Sequence, residues 1–523
     1  MGLSLAVLFA TSLIGTDQRS LKLSSDQYED RVRAAWTGQI IGTMLGFPFE
    51  GNVASSSRVT VNKFARNYQS APVDDDYYYE LVALRAFEKY GIDMTLDDLG
   101  AQWLENSAGS WGSSAETRKS LLAGRRGSEA GHPRHNRFWW TIGPQFSADI
   151  YGMIAPGDPN LAASLARKYC RINGYAEGTD GGLFVAGMVA LAFRERDPGR
   201  IVSEAAQLIH PSSPYRRCLD MVIAMCKEGR PAPQIFSAVE DRWRIEYPRV
   251  NNAVANGGLV AASVWCGQGD FLKTVNLAFQ AADFSDADCN AANAAAVVGA
   301  MRGMRALPED LVARLNDRIA GDQMGPVKLT PRVDERISDV AARIAALGRK
   351  MLAANGAAVR EKEITVPWRP LETQPAEQFT PNDLVRHWNP EWTLERAGFA
   401  GPDVKQGLRM TFLDGEALAT WPRDPAGAVV LRRLLTLGRN PALEMEVAAD
   451  KGCAWRLEVV VNNTKLHDAV IRGEGQDGEK VWRKVVIDLS AFAGQEVEIR
   501  LYQRTDLADA TVANAYWRNL RIR

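Results

Sequence analysis

Ala281–Gly303 reads AADFSDADCNAANAAAVVGAMRG. Two acids, Asp286 and Asp288, stand directly before a run rich in Ala and Gly that ends at Gly303. A helix of such small residues lets neighbouring backbones approach closely, which suits a central, buried position. Taken alone, the acids are an ordinary acidic helix start, favoured by the macrodipole and the free N–H groups. The arrangement recurs upstream in Val73–Gly91, VDDDYYYELVALRAFEKYG. There Asp74, Asp75 and Asp76 precede a helix with Leu81, Leu84 and Phe87 near helical spacing. Three adjacent carboxylates repel one another, and their oxygens suit a hard cation such as Mg²⁺. Asp286 and Asp288 flank one small residue, Ala287, so an irregular loop can aim both at one point. Two acidic starts of this kind can meet around one or two Mg²⁺ ions, a recognised hydrolytic arrangement.

Outward from these stretches, residues 28–355 read as helical. NLAASLARKYCRI opens after Pro159 with Asn160 as the expected N-cap, and DLVARLNDRIA (Asp310–Ala320) and VDERISDVAARIAALGRKML (Val333–Leu352) continue the pattern. Beyond residue 390 the period becomes two, as in ALEMEVAAD, WRLEVVVNN and EVEIRLYQR, with turns at Asn462-Asn463 and Gly473–Gly478. The expected chain is multidomain: an all-α domain at 23–360, a linker or cover strand with four prolines at 361–385, and an antiparallel, jelly-roll-like β-sandwich at 386–523.

The chain's 523 residues are too many for one ordinary core. A formal net charge of −1 offers no basic excess for a nucleic-acid backbone. The six cysteines form no C-x-x-C pair, and the five histidines are scattered, which argues against a zinc site of thiolates and imidazoles. Leu3–Ile14 is too short an apolar run to span a bilayer and resembles the core of a secretory signal. Residues 1–22 are the expected signal segment; if residues 1–18 act as a signal, the protein is periplasmic or extracellular, and otherwise it is cytoplasmic.

RVRAAWTGQIIGTMLGFPFEG (Arg31–Gly51), VDDDYYYELVALRAFEKYG and DADCNAANAAAVVGAMRG follow one another in an order and spacing that resemble the ADP-ribosylglycohydrolase family. IGPQFSADIYGMIAPGDPNLAASLA and NGYAEGTDGGLFVAGMVALAF resemble a mid-domain stretch of one branch of that family. The likeness spans about 320 residues. It implies an all-α fold and a glycosidic-bond hydrolase, with Asp74, Asp75, Asp76, Asp286 and Asp288 as metal ligands. It also implies Glu50 near the metals, handling substrate or the attacking water, with Glu50, Asp75 and Asp286 as the catalytic set. The chain departs from the pattern at Asp74 and Cys289, where Thr is usual, at Thr43, where many members have Asp, and at Ala287, which replaces a Thr. A thiol is a poor ligand for hard Mg²⁺. These changes bear on the substrate more than on the fold.

Trp139 and Trp140, in the loop with His132 and His135, are candidates to line the pocket and stack on a sugar or an adenine; a core role fits them equally. Gln145, Asp149, Asn173 and Asn252 are further substrate-contact candidates, beside Glu177, Asp180 and Asn256. The expected substrate is a glycan or furanosyl glycoside, or an ADP-ribosyl conjugate. A protein that binds sugar on the same scaffold without catalysis is the reading from another class.

Overall fold

The computed structural model describes residues 20–52, 69–244, 247, 250–283, 285–397, 410–422, 427–476, 479–505, 507 and 513–523. The signal-like run Leu3–Ile14 lies outside them. Among the described residues, no helix is long and apolar enough to cross a membrane.

Six helices frame the first domain: α1 (Ser25–Gly46), α2 (Asp75–Tyr90), α3 (Glu177–Ala192), α4 (Ala253–Gly267), α5 (Ala287–Arg302) and α6 (Ile337–Ala354). Helix α1 starts on a capping box between Ser24 and Gln27. Helix α5 is buried from Ala287 to Met301 and lies against α1, α3 and α4. Its contact with α1 is backbone to backbone. A Cβ at Gly46 would sit 2.5 Å from the Ala287 carbonyl oxygen, and one at Gly299 would sit 2.5 Å from the Ala34 carbonyl carbon. The small residues read from the sequence therefore do place α5 at the centre.

Two local expectations change. The helix at 159–169 is capped by Asp158, whose Oδ1 accepts from the Leu161 N–H at 3.1 Å, with Pro159 at its first position. Asn160 is already inside the helix. Its Nδ2 donates to the Pro370 carbonyl at 2.7 Å, and its Oδ1 accepts from the Glu372 N–H at 2.9 Å. Nor does Asp310–Ala320 stay helical. The helix Glu309–Arg314 stops because Asn316 and Asp317 take φ of 53° and 49°, and successive left-handed residues cannot continue a right-handed helix. An antiparallel hairpin, Arg318–Met324 with Val327–Arg336, follows before α6. A small sheet of Leu21–Ser24, Glu363–Val366 and Ala358–Val359 also edges this helical domain.

After Val366 the proline-rich segment runs as a strap over the helical domain. The Gln374 N–H donates to the Leu208 carbonyl at 2.8 Å. Glu377 is buried and accepts from Arg167 at 2.8 Å, Thr179 at 2.7 Å, Arg171 Nε at 2.6 Å and the Ala176 N–H at 3.1 Å. Removing one partner of a buried ion pair leaves the other charge uncompensated. Glu377→Ala is therefore expected to cost the helical domain about 3 kcal/mol in urea unfolding. An unchanged midpoint would show that the strap is not anchored there.

The remainder is a sandwich of two five-stranded antiparallel sheets. One orders Arg483–Asp488, Ala442–Ala449, Ala515–Ile522, Ala417–Thr420 and Phe412–Asp414; the other orders Thr464–Arg472, Ala454–Val461, Glu496–Arg504, Ala428–Thr436 and Thr393–Glu395. Asn462-Asn463 is the two-residue turn between paired Val461 and Thr464, with Asn462 at φ 52°. Phe138 of the helical domain joins Met410, Phe412 and Tyr516 in a small apolar cluster that seats the sandwich.

Candidate active site

Three chain segments bring acids to one cleft of about 470 Å³. The first is the end of α1. There the single turn Phe47–Phe49 reverses the chain, Phe49 stacks on Phe279 with centroids 4.8 Å apart, and the Gly51 N–H donates to the Ser285 carbonyl at 3.1 Å. That anchoring holds Glu50 at the rim, beside the second acidic loop. The second segment is the start of α2. Asp74 is the N-cap and accepts from the Asp76 N–H at 3.2 Å, so Asp74 and Asp75 face the cleft while Asp76 points beneath it, fully buried. The third is the start of α5. Asp286 is its N-cap residue, and the Asp286 N–H donates to Asn256 Oδ1 at 3.2 Å, which also receives Asn290 Nδ2 at 2.8 Å. Asp288 and Cys289 follow on the cleft side.

Ligand atoms of Asp74, Asp75 and Asp76 lie within 4.8 Å of one another, and so do those of Asp286, Asp288 and Cys289. Thr43 donates its hydroxyl to Asp76 Oδ2 at 2.8 Å, but Asp76 Oδ1 and Asp286 Oδ1 are buried with no donor. No described lining residue is basic. Each carboxyl consequently resists ionisation. Desolvation by the surrounding protein, then Asp286 and then Asp74, pushes Glu50 up to about 8. Burial raises Asp74 to about 6, and burial with neighbouring carboxylates holds Asp75, Asp76 and Asp288 well above the usual range. Burial, followed by these same acids, keeps Cys289 a thiol, placed to give its one proton to Asp76 or Asp286. Carboxylate oxygens without a cationic side chain are the donor set of a hard metal ion, so both acidic groups could bind one.

The structure brings Glu50, Asp74, Asp75, Asp286 and Asp288 to the cleft. The other sequence candidates stand behind its wall. Trp139 and Trp140 are 1% and 0% exposed, and Trp139 packs edge-on against Phe379 of the strap. Asn173 and Gln145 are fully buried and bond to Ser114 and Tyr215. Asn252 caps α4 by accepting from the Ala255 N–H at 2.7 Å. Asp149 is fully buried and accepts from Asn293 at 2.7 Å. Asp180 pairs with Arg167 at 2.7 Å, and Glu177 accepts from the Tyr247 hydroxyl at 3.1 Å. His132 packs on Tyr175 and Phe379.

The aromatic rings that reach the cleft are Phe47 and Trp111, 60% and 46% exposed, with the buried Phe146 in its wall. The sequence carried a signal for both. Phe47 lies between Gly46 and Pro48 at the end of α1, and Trp111, among Gly109, Ser110 and Gly112, stands directly before the helix Gly112–Leu122, so glycines mark a chain break at each. Ser113, Ser114, Thr141 and Asn251 add polar lining.

A family model described as ADP-ribosylglycohydrolase matches residues 24–351. Among solved structures, an "ADP-ribosylglycohydrolase-related protein complex" is 17% identical, with 62% of this chain and 99% of that chain covered and a TM-score of 0.45. A carbohydrate binding module of family 29 is also 17% identical, over 22% of this chain and 73% of that chain, with a TM-score of 0.16. No curated protein matches.

Proposed function

The chain belongs to the ADP-ribosylglycohydrolase family, and from that premise we propose that its cleft hydrolyses a glycosidic bond with the help of one or two Mg²⁺ ions. The observation that carries the proposal is the convergence of Glu50, Asp74, Asp75, Asp286 and Asp288 on one cleft whose described lining has no basic side chain. Asp74, Asp75 and Asp76 would hold an ion on one side, and Asp286 and Asp288 on the other. A bound hard ion supplies positive charge that binds vicinal sugar hydroxyls and lowers the pKa of a bound water.

The protein's own groups do the rest. Phe47 and Trp111 offer ring faces at the mouth, to stack on the apolar side of a sugar or on a base. Ser113, Ser114 and Thr141 offer hydroxyls to orient it. Glu50, at the rim of the cleft beside the two acidic groups, is placed to give a proton to the leaving group or take one from water. The remaining carboxylates stabilise positive charge that develops on the sugar ring.

Two substrate classes follow. The family description favours an ADP-ribosyl conjugate. Five carboxylates around the cleft repel a diphosphate unless bound ions screen them, which favours a neutral glycoside. Purified protein assayed on aryl glycosides, furanosides included, and on ADP-ribosyl-arginine, with and without chelator, separates these. Turnover that persists unchanged in chelator would overturn the metal-dependent reading.

The same acids set a pH dependence. Their folded-state pKa values lie above the unfolded 3.8 and 4.5, with Asp74 at about 6 and Glu50 at about 8. The folded chain therefore binds these protons more tightly, and the stability they contribute is complete at low pH and lost as pH rises to about 8. In chelator, the thermal midpoint is expected to fall between pH 5 and pH 8 relative to the Asp75→Asn protein. Mg²⁺ should restore it more at pH 8 than at pH 5. A parallel response of the two proteins would contradict this.

A further inference from the structure

One helical turn below the cleft, its pattern repeats. Gln39 lies four residues from Thr43 on α1, Glu80 four from Asp76 on α2, and Asn293 four from Cys289 on α5. Residues four apart share a helix face, so three helices each carry their polar stripe one turn deeper. Asp149, at the start of the short helix Asp149–Met153, joins them. All four side chains are 0% exposed.

These side chains touch. Gln39 Nε2 donates to the Asp76 carbonyl at 2.9 Å and lies 3.4 Å from Asp149 Oδ2. Asn293 Nδ2 donates to the same Asp149 oxygen at 2.7 Å, and the Ile150 N–H donates to Glu80 Oε1 at 3.1 Å. The Gln39 amide and the Asp149 N–H also act on Glu80. The other ends, Gln39 Oε1, Glu80 Oε2, Asp149 Oδ1 and Asn293 Oδ1, are buried with no donor. All four are acceptors. The charge acting on Glu80 is that of Asp149, and no basic side chain acts on either acid. Buried acceptors without donors are costly, and buried carboxylates more so, unless a positive partner is present.

We propose that Gln39, Glu80, Asp149 and Asn293 form a second, interior site for a hard cation stripped of its water, separate from the cleft. Two carboxylates and two amide oxygens suit Ca²⁺; Na⁺ and K⁺ share that oxygen chemistry, whereas Mg²⁺ gives up its waters reluctantly. Such an ion ties α1, α2 and α5 together directly beneath the two acidic groups and holds them in register. Its occupancy does not depend on what the cleft hydrolyses.

The test uses the full chain with both acidic groups of the cleft disabled by Asp74→Asn, Asp75→Asn, Asp286→Asn and Asp288→Asn, so that failure of the cleft reading leaves the result unaffected. The protein is chelator-treated under mild denaturation, refolded in Ca²⁺, Na⁺ or K⁺ with choline chloride fixing the ionic strength, and desalted. Elemental mass spectrometry is expected to find about one equivalent of a single cation per chain, with a thermal midpoint raised by that cation alone. Adding Glu80→Gln and Asp149→Asn should remove both effects. Should that variant not fold, Glu80→Gln alone or the cation content of the cleft-disabled protein still decides. No retained cation in any arm, with the same midpoint in choline, would overturn the site and leave the carboxyls sharing protons.

Discussion

Asp75→Asn is expected to lower turnover by about 10³-fold while the circular dichroism spectrum stays that of the wild type. Asp75 faces the cleft at the first residue of α2, between Asp74 and Asp76, and the charges acting on it besides burial are all carboxylates. Asparagine keeps the shape and removes one charge. A ligand for a hard ion is weakened, so affinity for Mg²⁺ should fall together with kcat. Stability should move the other way. Without metal, the wild type keeps self-repelling acids in a desolvated cluster, and the variant is relieved of one. Its midpoint in chelator should therefore exceed that of the wild type at pH 8, and the order should close up or reverse when Mg²⁺ is added. A structural role for Asp75 would give lost activity with lost stability in both conditions. Full activity with unchanged ion affinity would remove Asp75 from the site.

The acids that converge were legible because each group abuts the start of an apolar helix, a local feature that short stretches of sequence carry in full. The helical half and the alternating half were legible for the same reason. What escaped depends on distant parts of the chain. Trp139 and Trp140 sit in a loop-like stretch with two histidines, yet Phe379, some 240 residues later, closes over Trp139. Trp111 is fixed at the cleft by a hairpin that the sequence disguises as helix: a Cβ at Gly325 in its turn would meet Trp111 Cε2 at 2.5 Å. The hairpin itself hinges on Asn316 and Asp317 entering the left-handed region, for which periodicity gives no warning. Asn160 looked like a cap by residue type, but Asp158 before Pro159 is the better one, and the strap claims Asn160's amide. Asp149 lies in a stretch that resembles the family, and its burial with Glu80, Gln39 and Asn293 is set by three other helices.

Gly42→Ala tests the packing on which the two acidic groups depend. In an isolated helix the change would stabilise, by about 1 kcal/mol. Here the added Cβ would meet the Ala291 carbonyl carbon at 2.7 Å and Ala292 Cα at 2.9 Å. Both are backbone atoms of α5, so no side chain can rotate away and one helix must shift. Overpacking of a close-packed interior costs about 1–3 kcal/mol, occasionally more, and this contact lies at the rigid end of that range. The cost outweighs the propensity gain, and a net loss of about 2 kcal/mol is expected in urea unfolding. Gly42→Val should lose more, since its branched side chain also gives up the propensity gain. Gly438→Ala, with nothing within 4 Å, is the control and should stay within about 0.5 kcal/mol. The shift also has a direction. Helix α1 carries Thr43, which holds Asp76, and α5 carries Asp286 and Asp288, so pushing the helices apart widens the gap between the two acidic groups. The folded Gly42→Ala protein should thus bind Mg²⁺ more weakly than the wild type and turn over more slowly, although Gly42 touches neither the ion nor the substrate. If it proves more stable than the wild type, α1 and α5 are not in backbone contact. If it is less stable but binds Mg²⁺ unchanged, the spacing of these helices does not set the spacing of the acids.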